Sequence, residues 1–156
     1  MHCNLKPQQI LFKSKNSDQI KIIDLGLNQM IKNNQLSQKE TETIYFLAPE
    51  MIKVKYDPKV AIWSAGLIFY ILMTGEPPFN AIGETGINYN AITKKILQGD
   101  VDLQHKAFNN CDSEVPEIIK LMLTIDPLQR PDAKDILILP WFEDEVSHTD
   151  KNTGLL

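Results

Sequence analysis

The stretch from Pro58 to Thr74 decides most of what this chain can become. Val60, Trp63, Ala65, Leu67, Ile68, Ile71 and Leu72 fall around every side of a 3.6-residue period and leave almost no polar face. A helix that is apolar on most sides must be buried, so the rest of the chain has to wrap around it. Its ends are marked as well. Asp57 predicts an N-cap, Pro58 the first helical position and Gly75 the left-handed residue past the end, with Pro77 and Pro78 barring continuation. The longest apolar run within it, Ala65 to Met73, is far too short to cross a bilayer.

The other elements arrange themselves before and after this helix. Ile10-Leu11-Phe12 and Ile20-Lys21-Ile22-Ile23 are short β-prone runs separated by the polar stretch Lys13 to Gln19, which predicts a hairpin. Residues 27–42 are rich in Asn, Gln and Lys with little periodicity and read as a loop. Leu47 to Lys53 predicts a short helix with Pro49 in its first turn. Residues 79–87 read as loop. Ile92, Ile96 and Leu97 mark a helix ending at Gly99, and Val115 to Leu123 mark another entered at Ser113 as N-cap. Asp132 is expected to cap a last helix, Ala133 to Leu139, and Pro140-Trp141-Phe142 to end the core. The expected fold is therefore mainly α with a small β-hairpin near the N-terminus. Residues 1–142 form the domain and 143–156 a polar tail that frays.

Composition excludes several function classes. With 156 residues there is room for one core, and 43% hydrophobic and 23% charged content is ordinary for a soluble globular chain. A net charge of −4 with no Lys/Arg cluster argues against nucleic acid as a partner. Cys3 and Cys111 lack metal-type spacing, and His2, His105 and His148 are scattered. No signal peptide precedes Cys3, so a reduced, cytoplasmic setting without a membrane is the expectation.

The order of short motifs carries more. Met1-His2-Cys3-Asn4-Leu5-Lys6-Pro7-Gln8-Gln9 runs into the first strand, and Ile20 to Gly26 is a strand entering an Asp-Leu-Gly turn. Thr43 to Glu50 closes on Ala48-Pro49-Glu50, followed by Trp63-Ser64-Ala65-Gly66 and Asp126-Pro127-Leu128-Gln129-Arg130-Pro131. In this order the motifs resemble a protein-kinase C-terminal lobe from the catalytic loop H-R-D-L-K-P-E-N through D-F-G and A-P-E, over roughly residues 2–142. The runs Leu72 to Phe79 and Pro140-Trp141-Phe142 are similar to the calmodulin- and calcium-dependent Ser/Thr group. No D-x-[DN]-x-[DN]-G loop occurs here, so an EF-hand would have to lie outside the chain.

The resemblance implies ATP and Mg²⁺ as cofactors, and it also locates the damage. The catalytic Asp of the loop falls on Asn4. An amide is isosteric with a carboxylate but is no base and carries no charge, although it can still hold the backbone of the turn. The metal-binding Asn falls on Gln9, whose carbonyl is a possible hard ligand one methylene too far out; the alternative is a solvated Gln on a strand edge. A displacement on the order of 1 Å can cost about a hundredfold in rate. Asp24 matches the metal carboxylate of the D-F-G turn and Lys6 the lysine that contacts the transferred phosphate. Thr43 matches the threonine of the substrate loop. Cys3 replaces the Arg that would receive a phosphorylated activation loop. Ala61 replaces an Asp that would bond the amides of the catalytic loop. Glu50 and Arg130 match an ion pair tying the A-P-E segment to the last helices, with two separate surface charges as the alternative.

The sequence opens on the catalytic loop, so the glycine-rich loop, the V-A-I-K lysine and its Glu partner of a kinase N-lobe are not in it. One side of Pro58–Thr74 is then expected to lack a neighbour unless a protein partner or the missing N-lobe covers it. The leading expectation is a kinase-like domain without phosphotransfer that acts by binding. The alternatives are a Ser/Thr kinase whose N-lobe lies in sequence not shown, and a decayed helical domain.

Overall fold

The computed structural model describes residues 5–23, 41–53, 58–83 and 86–142. In chain order it holds β1 (Ile10–Phe12), β2 (Ile20–Ile22), α1 (Pro49–Ile52), α2 (Val60–Thr74), β3 (Ile82–Gly83), β4 (Gly86–Ile87), α3 (Tyr89–Gln98), α4 (Glu114–Met122) and α5 (Ala133–Leu137). Short 3₁₀ turns at Pro7–Gln9, Thr41–Phe46 and Lys106–Asn110 join them. The architecture is mainly helical with two small antiparallel ribbons, β1–β2 and β3–β4.

The long apolar helix sits at the centre, as its pattern requires. Val60, Trp63, Ser64, Gly66, Leu67, Ile68 and Tyr70 of α2 are buried. Trp63 lies parallel to Phe79 with ring centroids 5.8 Å apart, closing the turn that follows the helix back onto it. On another side α4 packs against α2. Their approach is close at Gly66, where a Cβ would lie 2.8 Å from the Met122 Cβ, so only glycine fits without displacement. A smaller cluster of Ile118, Met122 and Ile136 extends the core, and Phe69 tilts against Trp141 at 5.4 Å.

Several boundaries differ from the sequence expectation. The central helix starts at Val60, because Pro58 and Lys59 form a turn whose carbonyls accept the N–H groups of Ala61, Ile62 and Trp63. Asp57 lies outside the described residues. At the other end Gly75 takes φ +82 and its N–H donates to the Ile71 carbonyl. Ser113 does not cap α4; Asp112 does, with Oδ1 accepting the Glu114 N–H at 3.1 Å and its carbonyl the Val115 N–H at 3.0 Å. Asp132 caps α5 in a reciprocal box with Asp135, but the helix stops at Leu137. The stretch 79–87 contains the two-residue ladder of β3 and β4. Residues 41 and 42 belong to a 3₁₀ turn, and the rest of the 27–42 reading lies outside the described residues up to 40.

The side of the central helix expected to lack a neighbour does not form a large exposed apolar patch among the described residues. Leu72, at 77% exposure, is the exposed large apolar side chain of α2. Exposed apolar surface gathers instead on the β1–β2 ribbon. There the register pairs Ile10 with Ile22 and Phe12 with Ile20 on one face. Phe12 is 71% exposed on that face, and Ile20 and Ile22 are exposed beside it.

Candidate active site

The turn before β1 is built by Pro7 at the first position of a 3₁₀ turn, where its missing N–H leaves no partner unpaired. The Gln9 N–H donates to the Lys6 carbonyl at 2.9 Å, and the Gln9 carbonyl accepts the Ile23 N–H at 2.9 Å. One residue thus ties the catalytic-loop-like turn to the end of β2. Lys6 is half-buried in that turn, and Leu5 packs against the core. Asn4 and Asp24, like Cys3 and Gly26, lie outside the described residues.

Gln9 is not a solvated residue on a strand edge. Its side chain is 0% exposed, and among the described residues neither Nε2 nor Oε1 has a hydrogen-bond partner. This geometry bears on metal binding. Mg²⁺ demands near-octahedral oxygen coordination and keeps several waters, so a ligand oxygen has to face open, hydrated space. The Gln9 oxygen is sealed. Among the described residues, no three His, Cys, Asp or Glu side chains gather in a metal-like group. Of the two residues that the resemblance assigns to Mg²⁺, Gln9 offers no open oxygen, and Asp24 lies outside the described residues.

The segment carrying Thr43 forms the 3₁₀ turn Thr41–Phe46, described here by its backbone. Ser64 anchors its end. The Ser64 hydroxyl lies 3.0 Å from the Phe46 carbonyl and 3.1 Å from the Val60 carbonyl, buried among apolar neighbours. Sequence reading passed over Ser64 as a functional anchor, yet a buried serine inside an otherwise apolar helix was the available signal. Burial, and secondarily the nearby Tyr89, pushes the Tyr45 hydroxyl above its ordinary pKa. Ala61, where the resembled pattern has Asp, is half-buried in the first turn of α2.

Glu50 and Arg130 are brought together. The guanidinium meets the carboxylate in a bidentate pair, Nη1 to Oε1 at 2.7 Å and Nη2 to Oε2 at 3.0 Å. Its remaining N–H groups reach the carbonyls of Thr124 at 2.8 Å, Lys59 at 3.0 Å and Ile125 at 3.3 Å. All five donors of the guanidinium are thereby used. Arg130 is 0% exposed and Glu50 6% exposed, and the guanidinium lies 5.1 Å from the Trp63 ring centroid. They are not separate surface charges. The pair fastens α1 and the chain before α2 to the loop between α4 and α5.

Comparison with known proteins agrees with this arrangement. The protein kinase domain family matches residues 1–142. Calcium-dependent protein kinase 9 of Arabidopsis thaliana is 36% identical over 152 residues, covering 97% of this chain and 27% of that protein. Calcium-dependent protein kinase 15 of Oryza sativa subsp. japonica is 37% identical over 152 residues, with the same two coverages of 97% and 27%. The chain thus spans about a quarter of the length of these curated relatives. Among solved structures, the twitchin kinase region from C. elegans superimposes with a TM-score of 0.74 at 30% identity, over 90% of this chain and 24% of that one. With the motif order, the central helix and the buried Glu50–Arg130 tie all in one chain, this protein belongs to the protein kinase domain family.

Proposed function

We propose that this chain is a kinase-like C-lobe that does not transfer phosphate and acts by binding a protein partner. Protein kinases as a family use ATP and Mg²⁺, and phosphoryl transfer is chiefly positioning and charge stabilisation. The observation that carries the reading is Asn4, which stands where a carboxylate would accept the substrate proton. Gln9 and Ala61 add to it, the first by offering no open oxygen and the second by offering no carboxylate to the amides of the loop. Lys6, Asp24 and Thr43 keep the residue types of the family pattern, so weak nucleotide binding is the most that is expected.

The test is transfer of labelled phosphate from ATP to a peptide. The chain itself, and the chain joined beneath an intact N-lobe from a related kinase, should both stay at background. Asn4→Asp with Gln9→Asn and Ala61→Asp in that joined protein should recover measurable transfer. Asn4→Asp alone should not, because groups acting on one constellation do not combine additively. An ordinary kinase rate of about 1–100 s⁻¹ from the unrepaired joined protein would overturn the proposal.

A second reading is a Ser/Thr kinase completed by sequence beyond these residues. It is favoured by the similarity to calcium-dependent protein kinases of which this chain spans only a part. The same unrepaired protein decides between the two.

A further inference from the structure

We propose that residue 9 serves the fold and not a metal: Gln9 is a buried, unpaired amide, and an apolar side chain of similar length is more stable in its place. The backbone of Gln9 has a clear structural task, since its N–H and carbonyl join Lys6 to Ile23 across the base of the β1–β2 ribbon. The side chain has none. It is wholly enclosed, and among the described residues its two hydrogen-bonding atoms meet no partner. An amide that leaves water for such a place loses its hydration without recovering hydrogen bonds, which opposes folding. A metal ion would relieve the oxygen, but only if the enclosure opened to admit a hydrated cation. Leu5 and Ile10, close to it in sequence, pack against the apolar core, and an enclosed side chain without hydrogen-bond partners is better served by methionine or leucine than by an amide.

The inference is separate from the loss of phosphotransfer, because Asn4 removes the base whatever residue 9 does. It is also read without nucleotide or substrate. Thermal melting of the full chain is compared with Gln9→Met and Gln9→Leu, each with and without millimolar Mg²⁺. The better-fitting of the two variants should melt about 2–4 °C above the parent. Mg²⁺ should leave all three unchanged, or shift all three equally from a site elsewhere. Unchanged or lowered melting in both variants would overturn the proposal, since the amide would then be satisfied by an enclosed water or by reorganisation. So would a Mg²⁺-dependent rise in the parent that both variants lose, which would make Gln9 a ligand.

Discussion

Arg130 and Gln9 are both wholly enclosed, and their side chains are accommodated in opposite ways. At Arg130 every N–H of the guanidinium has an acceptor, and a carboxylate matches its charge. At Gln9 neither polar atom has a partner among the described residues. The first lies on the side of the molecule that fastens helices together, the second at the turn where the family does its chemistry. A fully paired buried ion is costly to break and specifies one arrangement, whereas an unpaired amide specifies nothing. The difference teaches that, among the described residues, the tie holding the C-lobe helices is fully paired while the Gln9 side chain beside the catalytic-loop-like turn is not.

The largest test of that contrast is Arg130→Ala. Removing the cation strands Glu50 in a buried setting and should destabilise the chain by about 3–5 kcal/mol. Chemical denaturation of the single and double variants checks this. Glu50→Ala with Arg130→Ala should cost less than the sum of the two, and strict additivity would remove the coupling on which the comparison stands.

Next comes packing beside the same tie. Gly66→Ala places a methyl 2.8 Å from the Met122 Cβ and 3.0 Å from a Leu123 methyl, so α2 and α4 must separate. A loss of about 1–3 kcal/mol is expected. A neutral result in the same denaturation series would mean that the helices give way more easily than their contacts indicate.

A smaller effect appears at alkaline pH. The Tyr70 hydroxyl donates to the Asp102 carbonyl at 3.1 Å, and burial, then Asp102, then Glu76 push its pKa from 10.0 to about 12. The folded state holds this proton more tightly than the unfolded state. Its contribution to stability is therefore fully present below pH about 10 and is lost as pH rises through about 12. Melting curves taken across that window should flatten in Tyr70→Phe relative to the parent.

The smallest effect on stability is expected at the ribbon. Phe12→Thr or Ile22→Thr removes apolar surface that is already exposed, so stability should change by less than about 0.5 kcal/mol. Self-association should nonetheless fall, because an apolar face open to water promotes it. Light scattering during gel filtration measures this. A destabilisation as large as that at Gly66 would show the ribbon to be part of the core.

Much of the frame was legible in the sequence because local signals agreed with the long-range result. The apolar run of α2, the glycines at 75 and 99 and the cap at Asp132 each have a local physical cause. The misreadings lie where two nearby residues compete or where burial comes from distant chain. Asp112 and Ser113 both suit a cap, and only the backbone angles of Ser113, already helical at φ −61 and ψ −20, decide for Asp112. The β3–β4 ladder is too short for a period to show. Gln9 reads as a metal ligand or as a solvated residue because its type is polar, and nothing adjacent in sequence reveals that it is enclosed. Of the candidate site, the Glu50–Arg130 match was visible by resemblance, but the three carbonyls and the Trp63 ring around Arg130 were not.

The pairing of Glu50 with Arg130 also sets an order of events in time. Its partners are 80 residues apart in sequence, so it cannot close until most of the chain is present. At a synthesis rate of about 5–20 residues per second, Glu50 waits about 4–16 s for Arg130 to follow it out of the ribosome. Closing so long a loop also costs entropy, so we expect the pair to be absent from the folding transition state, in which case its loss acts on unfolding more than on folding. Arg130→Ala should accordingly steepen loss of the folded form by raising the unfolding rate while leaving the refolding rate nearly unchanged, so that this tie governs how long the fold lasts once made and not how fast it is found.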